Sequence, residues 1–301
     1  MKKLGIILMV AILGLTVFSM VTVAQDLEGS VKIDGSSTVY PVTQAMAEEF
    51  SYAYPDVRVT VGVSGTGGGM EKFTIGETDI NNASREIKPS EVDKAEKNGI
   101  EFSRFTVASD GITVVINPAN DWAENMTVEE LQMIWKPNSS VETWSDVRPE
   151  WPDEEIELYG PGADSGTFDY FTSVIVGAES ESRADYTASE DDNVLVQGVS
   201  GSKYALGYFG YAYYEENQNK LKSVAVNGVK PSSKTIENGE YKPLSRPLYI
   251  YVNNESVKRP VVEEFLKFYF ENGKELIPMV GYVPLTSYQE QLEKVEELAT
   301  K

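Results

Sequence analysis

Three short apolar runs in this chain each break into a turn rich in hydroxyls and glycine and then resume at helical spacing, and that alternation points to an α/β architecture. Val31–Ile33 is a predicted strand, Asp34-Gly35-Ser36-Ser37-Thr38 its turn, and Val42, Ala45, Met46 and Phe50 fall on one face of the helix that follows. Val57–Val63 alternates as a second strand, Ser64–Gly69 reads as a glycine-rich turn and Met70–Ile75 as a short helix. In the third unit Glu157–Tyr159 is the strand, Gly160–Gly166 the turn and Thr167–Val176 an apolar-faced helix. Each unit places Ser or Thr at a helix start. The first N–H groups of a helix have no intrahelical partner and sit at the positive end of its dipole, so a hydroxyl there either caps the helix or helps to hold an anion. Glycine lets the backbone approach such a ligand closely.

With 301 residues the chain exceeds what one hydrophobic core usually serves, so two lobes are expected. It has no His and no Cys, which excludes thiolate nucleophiles, the common zinc sites and every Ser-His-Asp or Cys-His arrangement. No cofactor is expected. The net charge of −21 argues against a nucleic-acid partner and against anionic lipid, because both require clustered Lys and Arg. An apolar fraction of 41% is ample for globular cores, which makes the acidity a property of a solvated surface and not of a disordered tail.

The N-terminus has the form of an export signal, with Lys2 and Lys3 ahead of the apolar Leu4–Phe18 and short residues for cleavage at Thr22-Val23-Ala24. The alternative is an uncleaved anchor, since Leu4–Gln25 carries no charge. Either way the protein is expected to be extracytoplasmic, and without Cys it is not a lipoprotein. No later segment is long and apolar enough to cross a membrane. The run Ser64-Gly65-Thr66-Gly67-Gly68-Gly69 is not a nucleotide loop: it lacks the Lys-Ser/Thr of a P-loop, and its glycine spacing misses G-x-G-x-x-G.

Asp34-Gly35-Ser36-Ser37-Thr38-Val39-Tyr40-Pro41, Ser64–Gly69, Asp79-Ile80 with Ala83-Ser84-Arg85, Asp110-Gly111-Ile112 running to Asn117-Pro118, and Asp164-Ser165-Gly166-Thr167 together resemble the phosphate-binding proteins of ABC-type phosphate importers, the PstS type, and occur in that family's order. The resemblance implies a two-lobed type II periplasmic binding protein fold with two crossover hinge strands, closing over one dehydrated phosphate. By motif match it assigns Ser36, Ser37 and Thr38 to a first anion loop, Ser64 to a second, Arg85 to a third, and Ser165, Gly166 and Thr167 to a loop from the other lobe. Many members carry an Arg shortly before the Ser-Gly-Thr. Here Gly160-Pro161-Gly162-Ala163 has none, which leaves Arg85 as the expected sole guanidinium.

Ile112–Ile116 and Leu248–Val252 suit the crossover strands, the second following Arg246-Pro247. They divide the chain into a signal peptide at 1–24, lobe one at 25–111 plus 247–301, and lobe two at 112–246. Ser287–Lys301, with Tyr288, Leu292, Val295 and Leu298 on one face, is predicted to pack back on lobe one. Asp110, at the entry to a crossover strand, is the candidate for selectivity. Phosphate near neutral pH retains a proton that a buried carboxylate can accept, whereas sulfate has none. Its alternatives are capping a turn or pairing with Arg85, and Asp79 is next in line.

The acidic patches Glu179–Glu181 and Glu190–Asp192 read as solvated surface, and Asp153, Glu154 and Glu155, being consecutive, cannot face each other across a scissile bond. Tyr204, Tyr208, Tyr211, Tyr213 and Tyr214 form either an aromatic platform or core and core-edge packing, the latter favoured by their amphipathic rings. The expectation is a monomeric, non-enzymatic binder of inorganic phosphate that delivers it to a membrane permease of an ABC importer. The alternatives are another tetrahedral oxyanion such as sulfate, or a secreted phosphoester hydrolase, which would lack a His for acid–base work.

Overall fold

The computed structural model describes residues 27–163, 165–189 and 191–301. The export-signal reading of residues 1–24 lies outside the described residues, as do Asp164 and Glu190. In chain order the elements that place the site are β1 (Gly29–Gly35), α1 (Tyr40–Ala53), β2 (Val57–Val61), α2 (Gly65–Phe73), β3 (Ile80–Ala83), α3 (Pro89–Lys97) and β4 (Phe102–Ile116). They continue as β5 (Glu157–Pro161), α4 (Gly166–Phe171), β6 (Thr187–Ser189), β7 (Ala205–Gly210), β8 (Ser245–Asn253), α5 (Pro260–Glu271) and α6 (Gln289–Ala299).

The strands join into one sheet in the order β2-β1-β3-β8-β4-β7-β5-β6, with Lys222–Ser223 and Val283–Pro284 pairing on β4 off that path. β1 pairs in parallel with β2 and β3, so all three C-terminal ends open on the same side of the sheet. In open parallel sheets that is where ligands bind. β5 likewise pairs in parallel with β6 and β7.

The 15-residue β4 serves both halves: Phe102–Gly111 pairs antiparallel with β8, and Ile112–Ile116 pairs antiparallel with β7. The apolar cores separate at the same place along that strand. One cluster gathers Phe105, Val107 and Ala108 with Val31, Met46, Phe50, Phe265 and Val295. The other gathers Ile112, Val114 and Ile116 with Leu131, Trp135, Trp144, Phe171 and Tyr208.

Local chemistry explains the helices. Pro41 stands in the first turn of α1, where a missing N–H is harmless, and Val42, Met46 and Phe50 are buried on its inner face. The terminal helix α6 buries Val295, and just before it the Tyr288 hydroxyl donates to the Val107 carbonyl at 2.7 Å, tying the tail to β4. The glycine-rich segment differs from its expectation as a turn. Gly65–Gly69 is helical, and α2 begins there and ends at Phe73. The reason is contact: a Cβ on Gly69 would lie 2.5 Å from the Cα of Gly35 and 2.1 Å from Asn81 Oδ1, so α2 meets β1 backbone to backbone. The helix expected over Thr167–Val176 also differs, running as α4 and then as one π-helical turn at Thr172–Val176, with Gly177 left-handed at its end.

Candidate functional site

Where the ends of β1, β2 and β3 face the start of α4, a cavity of about 320 Å³ opens. Ser36, Ser37 and Thr38 enter it from the β1–α1 loop, Gly65 and Thr66 from the first turn of α2, and Ser84 and Arg85 from the residues after β3. Across the gap stand Gly166, Asp169, Tyr170 and Ser173, together with Glu179 and with Arg246 of β8. The two sides are close: a Cβ on Gly166 would lie 3.6 Å from Thr38 Oγ1.

The hydroxyls are held by their neighbours. Thr66 Oγ1 lies 3.3 Å from Ser84 Oγ and accepts the Ser84 N–H at 3.2 Å, which joins the second and third loops. Ser36 N donates to the Asn82 carbonyl at 2.9 Å, which joins the first loop to β3. Asp34, at the end of β1, accepts the N–H and the hydroxyl of Ser64 at 3.0 and 2.7 Å and the N–H of Gly35 at 2.7 Å, and also takes Lys72. Burial opposes its ionisation, but Lys72, Ser64 and Gly35 prevail and hold its carboxyl below the usual aspartate value. Ser64 therefore does not itself face the cavity. Its hydroxyl neither caps α2 nor lines the site but fastens the α2 start to β1, and Gly65 and Thr66 face the cavity instead.

Two guanidiniums reach the cavity, which corrects the expectation that Arg85 stands alone. Arg246 lies opposite Asp110 in the antiparallel register of β8 and β4. Its Nε donates to Asp110 Oδ2 at 3.1 Å and its Nη2 to Thr38 Oγ1 at 3.3 Å. Its Cζ sits 3.8 Å from the centroid of the Tyr170 ring, so the charge is also held by the ring face. Burial pushes the Asp110 carboxyl up, and Arg246 pulls against that shift. Asp110 is thus buried behind Arg246 and does not line the cavity, and its partner is Arg246 and not Arg85.

Arg85 engages Glu91 with both terminal nitrogens, at 2.9 and 2.8 Å. Asp79 stands at the far end of β3, where it binds Lys32 N, Ser256 Oγ and Arg259, and has no place at the cavity. In the opposing loop Ser165 caps α4 by accepting the Thr167 N–H at 3.2 Å, so of the Ser-Gly-Thr only Gly166 lines the cavity.

A family model described as a PBP superfamily domain matches residues 22–272. Protein SphX of Synechocystis is 48% identical over 273 residues, covering 88% of this chain and 81% of that protein. The phosphate-binding protein PstS of Staphylococcus saprophyticus is 41% identical over 282 residues, covering 91% of this chain and 86% of that protein. The chain belongs to the PstS-type phosphate-binding proteins.

Among solved structures, a possible phosphate binding protein from Planctomyces limnophilus superposes with a TM-score of 0.84 at 50% identity, covering 91% of this chain and all of that one. The fold is accordingly the two-lobed one of this PstS-type family. Sequence reasoning on the family motifs found the loops but did not single out Gly65, Thr66, Ser84, Asp169, Tyr170, Ser173 and Arg246, and it took Glu179, which lines the cavity, for solvated surface. Thr66 and Ser84 were within the quoted motifs. In the sequence Arg246 is only the flank of a crossover strand, and nothing there shows that β8 lays it beside the cavity. The tyrosine cluster is core and core edge: Tyr208 is fully buried and stacks on Phe171 at 3.7 Å, and Tyr211 is buried beside it. Among the described residues no cluster of His, Cys, Asp or Glu is arranged for a metal, and no helix is long and apolar enough to cross a membrane.

Proposed function

We propose that this chain captures inorganic phosphate in the cavity between its lobes and hands it to the permease of an ABC importer, acting as a solute-binding protein of transport and not as an enzyme. The observation that carries the reading is the cavity lining, in which neutral hydroxyls of Ser36, Ser37, Thr38, Thr66 and Ser84 surround two guanidiniums, Arg85 and Arg246. Dipoles and forked donors of this kind match a tetrahedral oxyanion. Asp169 and Glu179 on the opposing wall supply carboxylates toward an anion, which favours an oxyanion that still carries a proton.

In this reading Ser36, Ser37, Thr38, Arg85 and Gly166 touch the ligand, Ser64, Ser165 and Thr167 hold the loops that present them, and Asp110 acts through Arg246. The lobes are residues 25–111 with 247–301, and 112–246, hinged where β4 and β8 cross. Residues 1–24 export the chain, which works outside the cytoplasm as a monomer with no nucleic-acid partner. Calorimetric titration of residues 25–301 with phosphate, arsenate and sulfate tests the reading. Phosphate is expected to bind far more tightly than sulfate, and equal affinities would replace it with a general oxyanion binder.

A further inference from the structure

Arg85 forms part of the wall between two cavities, the one described above and another of about 350 Å³ between α2 and α3 that Glu91 also lines. Its hydrogen bonds divide the guanidinium unevenly. Nη1 donates to Glu91 Oε2 at 2.9 Å and to the Glu86 carbonyl at 3.0 Å, which uses both of its hydrogens, while Nη2 donates one to Glu91 Oε1 at 2.8 Å. What remains is the Nε–H and the second hydrogen of Nη2. Those two form the side-on edge of the fork, an arrangement that fits two oxygens of one oxyanion. Beside Nη2 stands Gly67, where even a Cβ would come no closer than 3.9 Å, so nothing from α2 crowds that nitrogen.

Glu91 is itself fixed. Its Oε2 accepts the Lys88 N–H at 2.8 Å at the start of α3, so the carboxylate is anchored to the backbone before it meets Arg85. Burial works against its charge, yet Arg85 and the Lys88 N–H hold its carboxyl below the usual glutamate value.

We propose that Glu91 is a positioning residue for the bound oxyanion, which clamps Arg85 end-on so that only the Nε–Nη2 edge is offered to the ligand. This rests on the phosphate reading above. A guanidinium already locked loses little freedom when the ligand arrives, and the anion meets one binding edge in place of several.

Phosphate titrations of the wild type, Arg85→Ala, Glu91→Gln and the double variant test it. Gln keeps an acceptor for the Lys88 N–H and so keeps α3 capped, but it has only one oxygen for the fork. Glu91→Gln is expected to weaken phosphate about tenfold, and to add less than about twofold in the Arg85→Ala background, as two residues acting through one contact should. Glu91→Asp, which keeps the charge but shortens the reach, is expected to fall with Gln. In 15N–1H spectra of the arginine side chains the Arg85 Nε–H of the wild type should be sharp before ligand and shift on addition of phosphate, whereas in Glu91→Gln it should be broadened without ligand.

Unchanged or tighter binding in Glu91→Gln, with Arg85→Ala weakened, overturns the positioning role and leaves the phosphate reading standing. A Glu91→Gln loss that persists in full without Arg85 overturns it as well, because the effect would then run through α3. Unchanged binding in Arg85→Ala removes Arg85 from the site and this proposal with it. A wild type that binds no phosphate overturns both readings.

Discussion

Arg85 and Arg246 reach the same cavity under different constraints. Arg85 is held by a carboxylate on its own side of the cleft, six residues along the chain, whereas Arg246 is tied to β4 through Asp110 and to the first loop through Thr38. Arg85→Ala should weaken phosphate by roughly 2–4 kcal/mol, the range for losing a desolvated, forked ion pair, and Arg85→Lys should not restore it because a point charge cannot reproduce two parallel bonds. Calorimetry checks both. Asp110 is the other residue on which chemistry turns. Asp110→Asn removes the counter-charge of Arg246, so the cavity becomes more positive and less dependent on the ligand's proton. Sulfate affinity should rise by more than phosphate affinity, so the gap between the two narrows. Competition titrations on the wild type and Asp110→Asn decide it, and an unaltered phosphate-to-sulfate ratio would assign selectivity to Asp169 or Glu179, the carboxylates that line the cavity.

At the scale of elements, the site depends on how α2 is fastened to β1. Asp34 does this with three bonds from Gly35 and Ser64 and with Lys72, and its side chain is only 10% exposed. Replacing it with Ala would leave the Ser64 and Gly35 donors without their acceptor, at a cost of about 2–3 kcal/mol of stability. Because its folded-state pKa lies below the ordinary 3.8, the native state holds its proton more weakly than the unfolded chain does. The stabilisation is therefore present above pH 3.8 and is lost as the pH falls through the lower folded value. Urea midpoints of the wild type and Asp34→Asn should differ near neutrality and converge in acid. A constant difference would mean that the Asp34 contribution is not ionic.

For the whole molecule, a ligand touching loops on both sides of the cleft should be enclosed by rotation about the paired β4 and β8. Saturating phosphate should reduce the radius of gyration in small-angle scattering and raise the melting temperature by mass action. An unchanged radius would leave the lobes already closed in solution. The charge of the chain adds a kinetic expectation. With a net charge of −21 the surface repels the anion it captures, and added salt screens that repulsion. Stopped-flow association should therefore quicken with ionic strength, the reverse of what an anion receptor with a basic surface would show.

Much of this protein is legible in its sequence because the informative signals are local. The strand, the Ser-Ser-Thr turn and the apolar face of α1 lie within a few residues of each other, so β1, α1 and the turn between them follow from spacing, and only the family resemblance assigns that turn to an anion loop. The absence of His and Cys and the order of the motifs likewise point to a binder. The tertiary structure decided what depends on register and packing. Arg246 meets Asp110 because β8 lies antiparallel to β4 in one particular alignment, across 136 residues of chain that no local pattern connects. Gly65–Gly69 is helical, and not the turn its composition suggests, because bare backbone is what lets α2 rest on β1. Ser64 turns to Asp34 and Ser165 to the Thr167 N–H because a hydroxyl takes the nearest fixed partner, and which partner is nearest is a property of the folded chain.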